Sequence, residues 1–421
     1  MKLKFAIKTL AISVLLITTF SSCENEEINE PTNAIEISSK ASVTLQWDGN
    51  PATFANALTQ AVRNAGAGGT VTLPNRTYRT DRSVFLPTDI PNVTITGATN
   101  RDNVRIVATR TFNTPGLVVT GANGTIYRNM TVDWAGLDNN SVAVSSQGKS
   151  GVQAYNMRFA NAGQGFGTPD NRTGLPIDFL VASNCEFRNC ARGILFNRNF
   201  SSTPVSSIGK VIIRNCQFLG DQLAGISIDC GNDGADGRED LRILPRAAEA
   251  MGIVTDMNGM EISGCFFQKA QNFNLAFAKV KNIQVFGNTF EGTTGAVRFT
   301  EAINIEHESN GISINGNNIS NFAQGDHNYI SVITFRDYGN APLFENGCHR
   351  IFINNNTFSG NCGSGIIGEE AQFVDIFDNN FNFPLPVGDH VNFFRSDRGN
   401  RNINVDRNTN TPTNKIRITT F

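Results

Sequence analysis

Two stretches of this chain gather more reactive side chains than the rest. Residues 321–347, "NFAQGDHNYISVITFRDYGNAPLFENG", carry Asp326, His327, Arg336 and Asp337. The segment before them supplies Glu301, Glu306, His307 and Glu308, and the one after supplies Glu369 and Glu370. Two chemistries use such a set. Paired carboxyl groups cleave a glycosidic bond when one protonates the leaving oxygen and the other activates water. Glu301, Asp337 and Glu369 are the candidates for that work. In the other scheme Arg336 or a metal ion neutralises a substrate carboxylate, while His307, His327 or an arginine removes the proton beside it. Arg336 next to Asp337 also reads as a plain ion pair. His349, flanking the apolar "RIFI", and His390, in a turn, are weaker candidates.

The second stretch, "DCGNDGADGREDLRILPRAAEA" at 229–250, is acidic and glycine-rich. Asp229, Asp233, Asp236, Glu239 and Asp240 are hard oxygen donors of the kind calcium takes. Their spacing is not that of an EF-hand loop. A solvated acidic loop is the competing reading, and direct contact with substrate a third.

What must position these residues is a repeat. The phrase apolar–x–apolar–x–(Asn or Gly)–x–x–apolar returns with its Asn/Gly position at Asn184, Asn215, Gly264, Gly287, Gly316, Asn355 and, as Asp, at 378. Asn129 and Asn156 begin weaker copies and Arg407 ends the series. Steps between copies run from 23 to 49 residues, as expected for one type of coil with loops of variable length. Residues two and four before each anchor alternate as a strand does, for example Val211 and Ile213, or Ile351 and Ile353. Three residues after the anchors stand Phe159, Phe187, Phe218, Phe267, Phe290, Ile319, Phe358 and Phe381. Stacked copies turn these into columns inside a tube, each coil completing its neighbour's core. One residue after the anchor the column reads Met130, Met157, Cys185, Cys216, Cys265, then Asn288, Asn317, Asn356, Asn379 and Asn408. The asparagines predict a ladder of amides bonded along the stack, and the cysteines small buried thiols in the same slot. Cys190, Cys230, Cys348 and Cys362 could include a disulfide, which sequence cannot pair.

A second short strand follows most anchors after a polar turn: "RGILF" at 192–196, "AGISI" at 224–228, "GAVRF" at 295–299 and "SGIIG" at 364–368. At the other end, "PATFANALTQAVRNAG" at 51–66 places Phe54, Ala57, Leu58, Ala61 and Val62 at helical spacing, stopped by Gly66 and Gly68–Gly69. A helix followed by "GTVTLPNRTYRT" resembles the cap and first coil of the pectin-lyase-like superfamily. The expected fold is all-β: a single-stranded right-handed parallel β-helix solenoid with an N-terminal capping helix, over residues 42–421. Insertions near 229–250 and 321–347 would wall a groove on one of its faces. Asp229, Glu301, Asp337 and Glu369 fall near the ends of second strands, so stacking would bring some onto that face at strand spacing of roughly 4.8 Å.

Many members of that superfamily are polysaccharide lyases or glycoside hydrolases, so the resemblance implies an extended polysaccharide as partner. It stops at the scaffold. The chain has no "NTD", paired "DD" or "GHG" series, and no "RxPxxR" pattern, so no catalytic residue transfers by position. An adhesive or polysaccharide-binding protein without turnover is the alternative. Trp47, Trp134, Tyr155, Tyr329 and Tyr338 are the candidate exposed rings, the phenylalanines being assigned to the stack.

The leader, "MKLKFAIKTLAISVLLITTFSSC", pairs three lysines with a short apolar run and ends at Cys23. It resembles a bacterial lipoprotein signal over residues 1–22, which implies lipidation of Cys23. Residues 23–41 read as a flexible acidic tether, and acidic residues after such a cysteine resemble surface-export signals of Bacteroidota lipoproteins. The resemblance places the chain on the cell envelope, at the outer membrane, as a monomer. Loss of the leader lysines moves the formal charge from −2 to about −5. That balance, with no arginine–aromatic module, excludes a broad electrostatic nucleic-acid binder. "GANG", "GNDG" and "GAGG" lack the strand–glycine–helix setting of a dinucleotide site.

Overall fold

Each coil turns where the repeat places its anchor. In the computed structural model, Asn129, Asn156, Asn184, Asn215, Asn355, Asp378 and Arg407 have φ between 49° and 56°, and Gly264, Gly287 and Gly316 between 59° and 64°. This left-handed conformation suits Asn and Gly, which explains why the phrase keeps one or the other at that place. The structure describes residues 40–419 except 112–115, 137–141, 169–176, 198–207, 221, 230–258, 269, 279–280, 293–300, 307–308, 323–327, 334–347, 361–362, 370, 384–388, 395–399 and 412. The leader and all but the last two residues of the tether lie outside the described residues.

Among the described residues, three parallel sheets enclose the core. Sheet A has 13 strands, from Ser42–Thr44 to Arg401–Asp406, and carries the apolar–x–apolar part of the phrase. The anchor turn leads into sheet B, 11 short strands from Thr77–Thr80 to Asn380–Asn382. Sheet C, 12 strands from Val84–Phe85 to Ile416–Ile418, follows and leads back to sheet A. The register is the predicted one. Val211, Met260, Ile283, Ile312, Ile351, Val374 and Ile403 are successive partners, and so are Ile213, Ile262, Val285, Ile314, Ile353, Ile376 and Val405. On sheet B, the rings of Phe159, Phe187, Phe218, Phe267 and Phe290 stack at centroid spacings of 4.6–4.9 Å. All five are buried, and each such side chain contributes roughly 2 kcal/mol of hydrophobic stabilisation.

The amide ladder runs through buried Asn288, Asn317, Asn356 and Asn379 to Asn408. Each rung's backbone N–H donates to the next rung's Oδ1, at 3.0 Å from Asn288 to Asn317 and 2.9 Å from Asn356 to Asn379. Each Nδ2 also donates to a carbonyl of the coil before, as Asn317 does to Val285 at 3.0 Å. The cysteines imitate this. Cys216 N–H reaches Cys265 Sγ at 3.4 Å, and the Cys185, Cys216 and Cys265 thiols point to the carbonyls of Ala154, Ala182 and Ile213, the equivalent positions one coil earlier. All three are free and buried, as is Cys190, which therefore forms no disulfide; Cys348 is buried as well. Cys230 and Cys362 lie outside the described residues.

Helix α1, Pro51–Ala65, packs on the first coil, against strands Ser42–Thr44, Thr70–Leu73, Thr77–Thr80 and Val84–Phe85. Asn50 caps its start through Oδ1 to the Ala52 N–H, and Gly66 ends it at φ 71°. Phe54, Leu58 and Val62 point into the tube and have no exposed surface, while Ala57 is only half-buried. The C-terminal "IRI" adds the last strand of sheet C beside Val391–Phe393. Two rings expected on the surface are inside. Trp134 donates from its indole to the Val142 carbonyl, and Tyr329 stacks near Phe358. Each has an internal partner for its polar end, which removes the cost of burial.

Candidate functional site

Sheet C brings carboxylates together, though not the set expected. Its strand Glu301–Glu306 turns Ile303 and Ile305 into the core, so Asn304 and Glu306 face outward. In strand Ser364–Glu369, Ile366 is core and Glu369 faces outward in the same way. The ladder aligns Asp229, Ala278, Glu306, Ile333 and Glu369 in one row across five adjacent strands. Glu306 and Glu369 are thus two strand spacings apart, about 10 Å between backbones. Asp229 occupies the same row two strands on the other side of Glu306.

Glu301 corrects a prediction. It begins its strand rather than ending it, opposite Phe273 and Asn328. Five residues along the strand and two strands across separate it from Glu369, about 19 Å between backbones, too far for a catalytic pair. Nine residues separate the sheet B strand ending at Glu291 from Glu301, but only four separate Ser359 from Ser364, so distance along the chain does not count register. Glu301 is 8 % exposed and accepts bonds from Asn304 Nδ2, at 2.8 Å, and from Ser331 Oγ. Asn304 Nδ2 also reaches Ser331 Oγ at 3.1 Å. The three side chains tie adjacent strands and hold Asn304 two residues from Glu306 on the outer face.

His307, His327, Arg336 and Asp337 lie outside the described residues, as do the proposed calcium ligands Asp233, Asp236, Glu239 and Asp240. Among the described residues no group of three or more His, Cys, Asp or Glu is arranged to hold a metal ion. His390 is buried between Phe381 and Phe383, with Nδ1 facing Thr411 Oγ1 at 3.4 Å. Burial, followed by the nearby Lys415 charge, lowers its pKa and outweighs the opposing pull of Asp389.

A second polar constellation, unforeseen, covers the outer face of sheet B in the N-terminal half. The Glu186 side chain is 4 % exposed and pairs with three arginines. Arg158 grips it with Nε–Oε1 at 2.9 Å and Nη2–Oε2 at 3.0 Å; Arg101 approaches at 3.0 Å and Arg188 at 2.7 Å. Arg158 also bonds Asp102, and Arg105 pairs with Asp133 at 2.7 Å. Burial alone would raise the Glu186 pKa. The bonds and charge of Arg158, with the charges of Arg101 and Arg188, outweigh it and hold the carboxyl below the usual range. Arg101 further donates to the carbonyls of Met157 and Asn184, so the cluster staples the loop around residue 101 onto the sheet. A signal existed in the sequence. Arg158 and Glu186 stand two residues after their anchors, and Asp133 and Arg188 four, the two outward positions of a sheet B strand.

No protein-family model matches the chain, and no curated protein matches it. Solved structures do. The Streptococcus pneumoniae surface protein and adhesin PfbA aligns at 13 % identity with a TM-score of 0.46, over 84 % of this chain and 100 % of that one. The alginate lyase from Paenibacillus sp. str. FPU-7 aligns at 15 % identity and TM-score 0.44, over 83 % of this chain and 99 % of that one. The chain spans 60 % of the length of Geobacillus virus E2 ORF18, aligned over 85 % of this chain at 13 % identity and TM-score 0.43. The names of these similar proteins include both an enzyme and an adhesin.

Proposed function

We propose that this is a cell-envelope protein that engages an extended polysaccharide along the outer face of sheet C and hydrolyses it. The observation that carries the reading is the placement of Glu306 and Glu369 on one outward row, two strands apart. A backbone separation of about 10 Å lets the two carboxyl groups lean into the 6.5–9.5 Å range that admits a water on the far side of the sugar. One carboxyl protonates the glycosidic oxygen while the other takes a proton from that water, giving inversion at the anomeric carbon. Asn304, buried and held by Glu301 and Ser331, braces the strand that carries Glu306. Calcium held by the 229–240 acidic loop belongs to this reading as a proposal from sequence. So does anchorage through a lipidated Cys23 at the outer membrane; no helix among the described residues is long and apolar enough to cross a membrane.

A panel of polysaccharides read for new reducing ends, unsaturated products and bound protein tests the reading. New reducing ends of inverted configuration, lost at least about 100-fold in Glu306→Gln and Glu369→Gln, are expected. Unsaturated products would move the chemistry to elimination and to His307, His327 and Arg336. Binding without any product would make the protein a glycan-binding or adhesion lipoprotein. Release of a Cys23→Ala variant from the membrane fraction checks the anchor.

A further inference from the structure

Sheet A carries a feature unconnected with either constellation. Four phenylalanines on its outer side, near the C-terminal end, are at least partly open to solvent. Phe286 is 39 % exposed, Phe352 38 % and Phe373 52 %, and Phe377 is half-buried under the Arg407 guanidinium, 5.2 Å from its ring centre. Their neighbours Ile283, Val285, Ile351, Ile353, Val374 and Ile376 are wholly buried, so the alternation of the strands turns these rings away from the core.

The ladder fixes their arrangement. Phe286, Asn315, Asn354 and Phe377 form one row across four adjacent strands, with two amides between two rings. The row spans three strand spacings, about 14 Å. Phe352 stands one strand from Phe377 and two residues back, diagonal to it. Phe373, at the start of the same strand as Phe377, stands on the other side of Phe352.

Phe373 shows that the rings are not incidental. It occupies a left-handed position, φ 52°, in a column whose other members are Gly259, Asn282, Gly311, Arg350 and Asn402. A bulky side chain is disfavoured in that conformation, where Asn and Gly are at ease. The chain therefore accepts backbone strain to hold an aromatic ring half in water. Strain of this kind, without a return in packing, marks a contact surface.

We infer that this face of sheet A is a second binding site, and that its ligand is an uncharged, extended polysaccharide. The rings stand apart with amides between them, unlike the continuous apolar patch of a protein interface. Separated rings offer stacking faces to pyranose rings, and the Asn315 and Asn354 amides offer donors and acceptors to hydroxyl groups. Charge selects among polymers. Arg350, Arg401 and Arg407 border the face together with Glu261, Asp375, Asp378 and Asp406, which leaves one negative charge over. Such a border attracts neither an acidic glycan nor an anionic membrane. The inference does not rest on turnover at sheet C.

The test uses the full-length protein carrying Glu306→Gln, so that no substrate is consumed. Native gels containing hydroxyethylcellulose, galactomannan, arabinoxylan or alginate measure retardation, for this protein and for added Phe286→Ala, Phe352→Ala and Phe373→Asn changes. At least one of the three neutral polymers is expected to retard the protein, and alginate is not. The phenylalanine changes should weaken retardation at least about tenfold. Phe373→Asn should do so while raising the melting temperature by about 2 °C, because Asn relieves the left-handed strain. No retardation by any neutral polymer, retardation by alginate alone, or retardation indifferent to the ring changes would overturn the inference. So would a concentration-dependent dimer abolished by Phe286→Ala and Phe352→Ala, which would assign the face to a second copy. A fall in melting temperature for Phe373→Asn would make that ring a packing residue and remove it from the site. Failure here leaves the Glu306–Glu369 reading intact, because the two use different faces and different readouts.

Discussion

The two halves of the tube fill the same inner slot with different chemistry. In the N-terminal half the residue after the anchor is Met130, Met157, Cys185, Cys216 or Cys265; in the C-terminal half it is Asn288, Asn317, Asn356, Asn379 or Asn408. Thiol and amide reach the same carbonyl one coil back, as Cys216 does at 3.5 Å and Asn317 at 3.0 Å. Only the amide also gives the preceding coil's backbone N–H a strong acceptor. The outer faces divide as well. The N-terminal half carries the arginine cluster around Glu186, while the C-terminal half carries the Glu306–Glu369 row and the exposed rings. Cys and Asn in the slot satisfy a buried carbonyl, while Met130 and Met157 fill it with apolar bulk. The exterior is left open to other uses.

Substitutions in the slot sharpen that contrast most. Asn317→Ala strips the acceptor from the Asn288 N–H and the donor from the Val285 carbonyl, both buried. A loss of about 4 kcal/mol in urea unfolding is expected. Asn317→Cys should recover part of it, and Cys216→Ala should cost only about 1 kcal/mol. Equal losses at Asn317 and Cys216 would break the comparison. Next in size is Glu186→Gln, which leaves three arginines without their shared anion and should cost roughly 3 kcal/mol at neutral pH. The Glu186 pKa is held down in the folded state. Its contribution is therefore present above the unfolded carboxyl pKa of about 4.3 and is lost as pH falls through the folded value. The variant should lack that acid limb in a stability–pH curve. His390, at the C-terminal end, has the smallest expected effect. Its pKa is lowered by burial, so the unfolded chain takes up a proton first as pH falls below about 6.5. Stability should drop as pH falls below that point, and His390→Phe should abolish this step while leaving the Glu186 limb in place.

Much of the architecture was legible because each coil repeats one local requirement. A left-handed corner needs Asn or Gly, and the flanking alternation needs apolar residues, so anchors and columns could be read residue by residue. The helix over 51–65 was legible for a similar reason, since its apolar spacing and its terminal glycine are local. The candidate site was less so. Glu301 and Glu369 each stand 14 residues after their anchors, yet nine residues separate Glu291 from Glu301 and only four separate Ser359 from Ser364, so one strand is shifted by five residues relative to the other. Glu306 takes the position assigned to Glu301. The surface aromatics were misassigned because composition gives the phenylalanines to the core. Phe286 and Phe352 sit at outward positions of strands whose inward residues are the isoleucines and valines beside them, so the phase of the alternation, not the residue type, decides exposure.

Sequence alone determined the coil: where it turns, what lines it, how each rung bonds to the next, and which end a helix covers. These depend on φ preferences, side-chain alternation and hydrogen-bonding groups within a few residues of one another. Only the stacked structure decided which groups from distant coils share a row. That outcome depends on pairing between strands joined by loops of unequal length, and the chain between them carries no measure of it. Glu306 and Glu369, the rings of Phe352 and Phe377, and Arg158 and Glu186 are neighbours through the ladder alone.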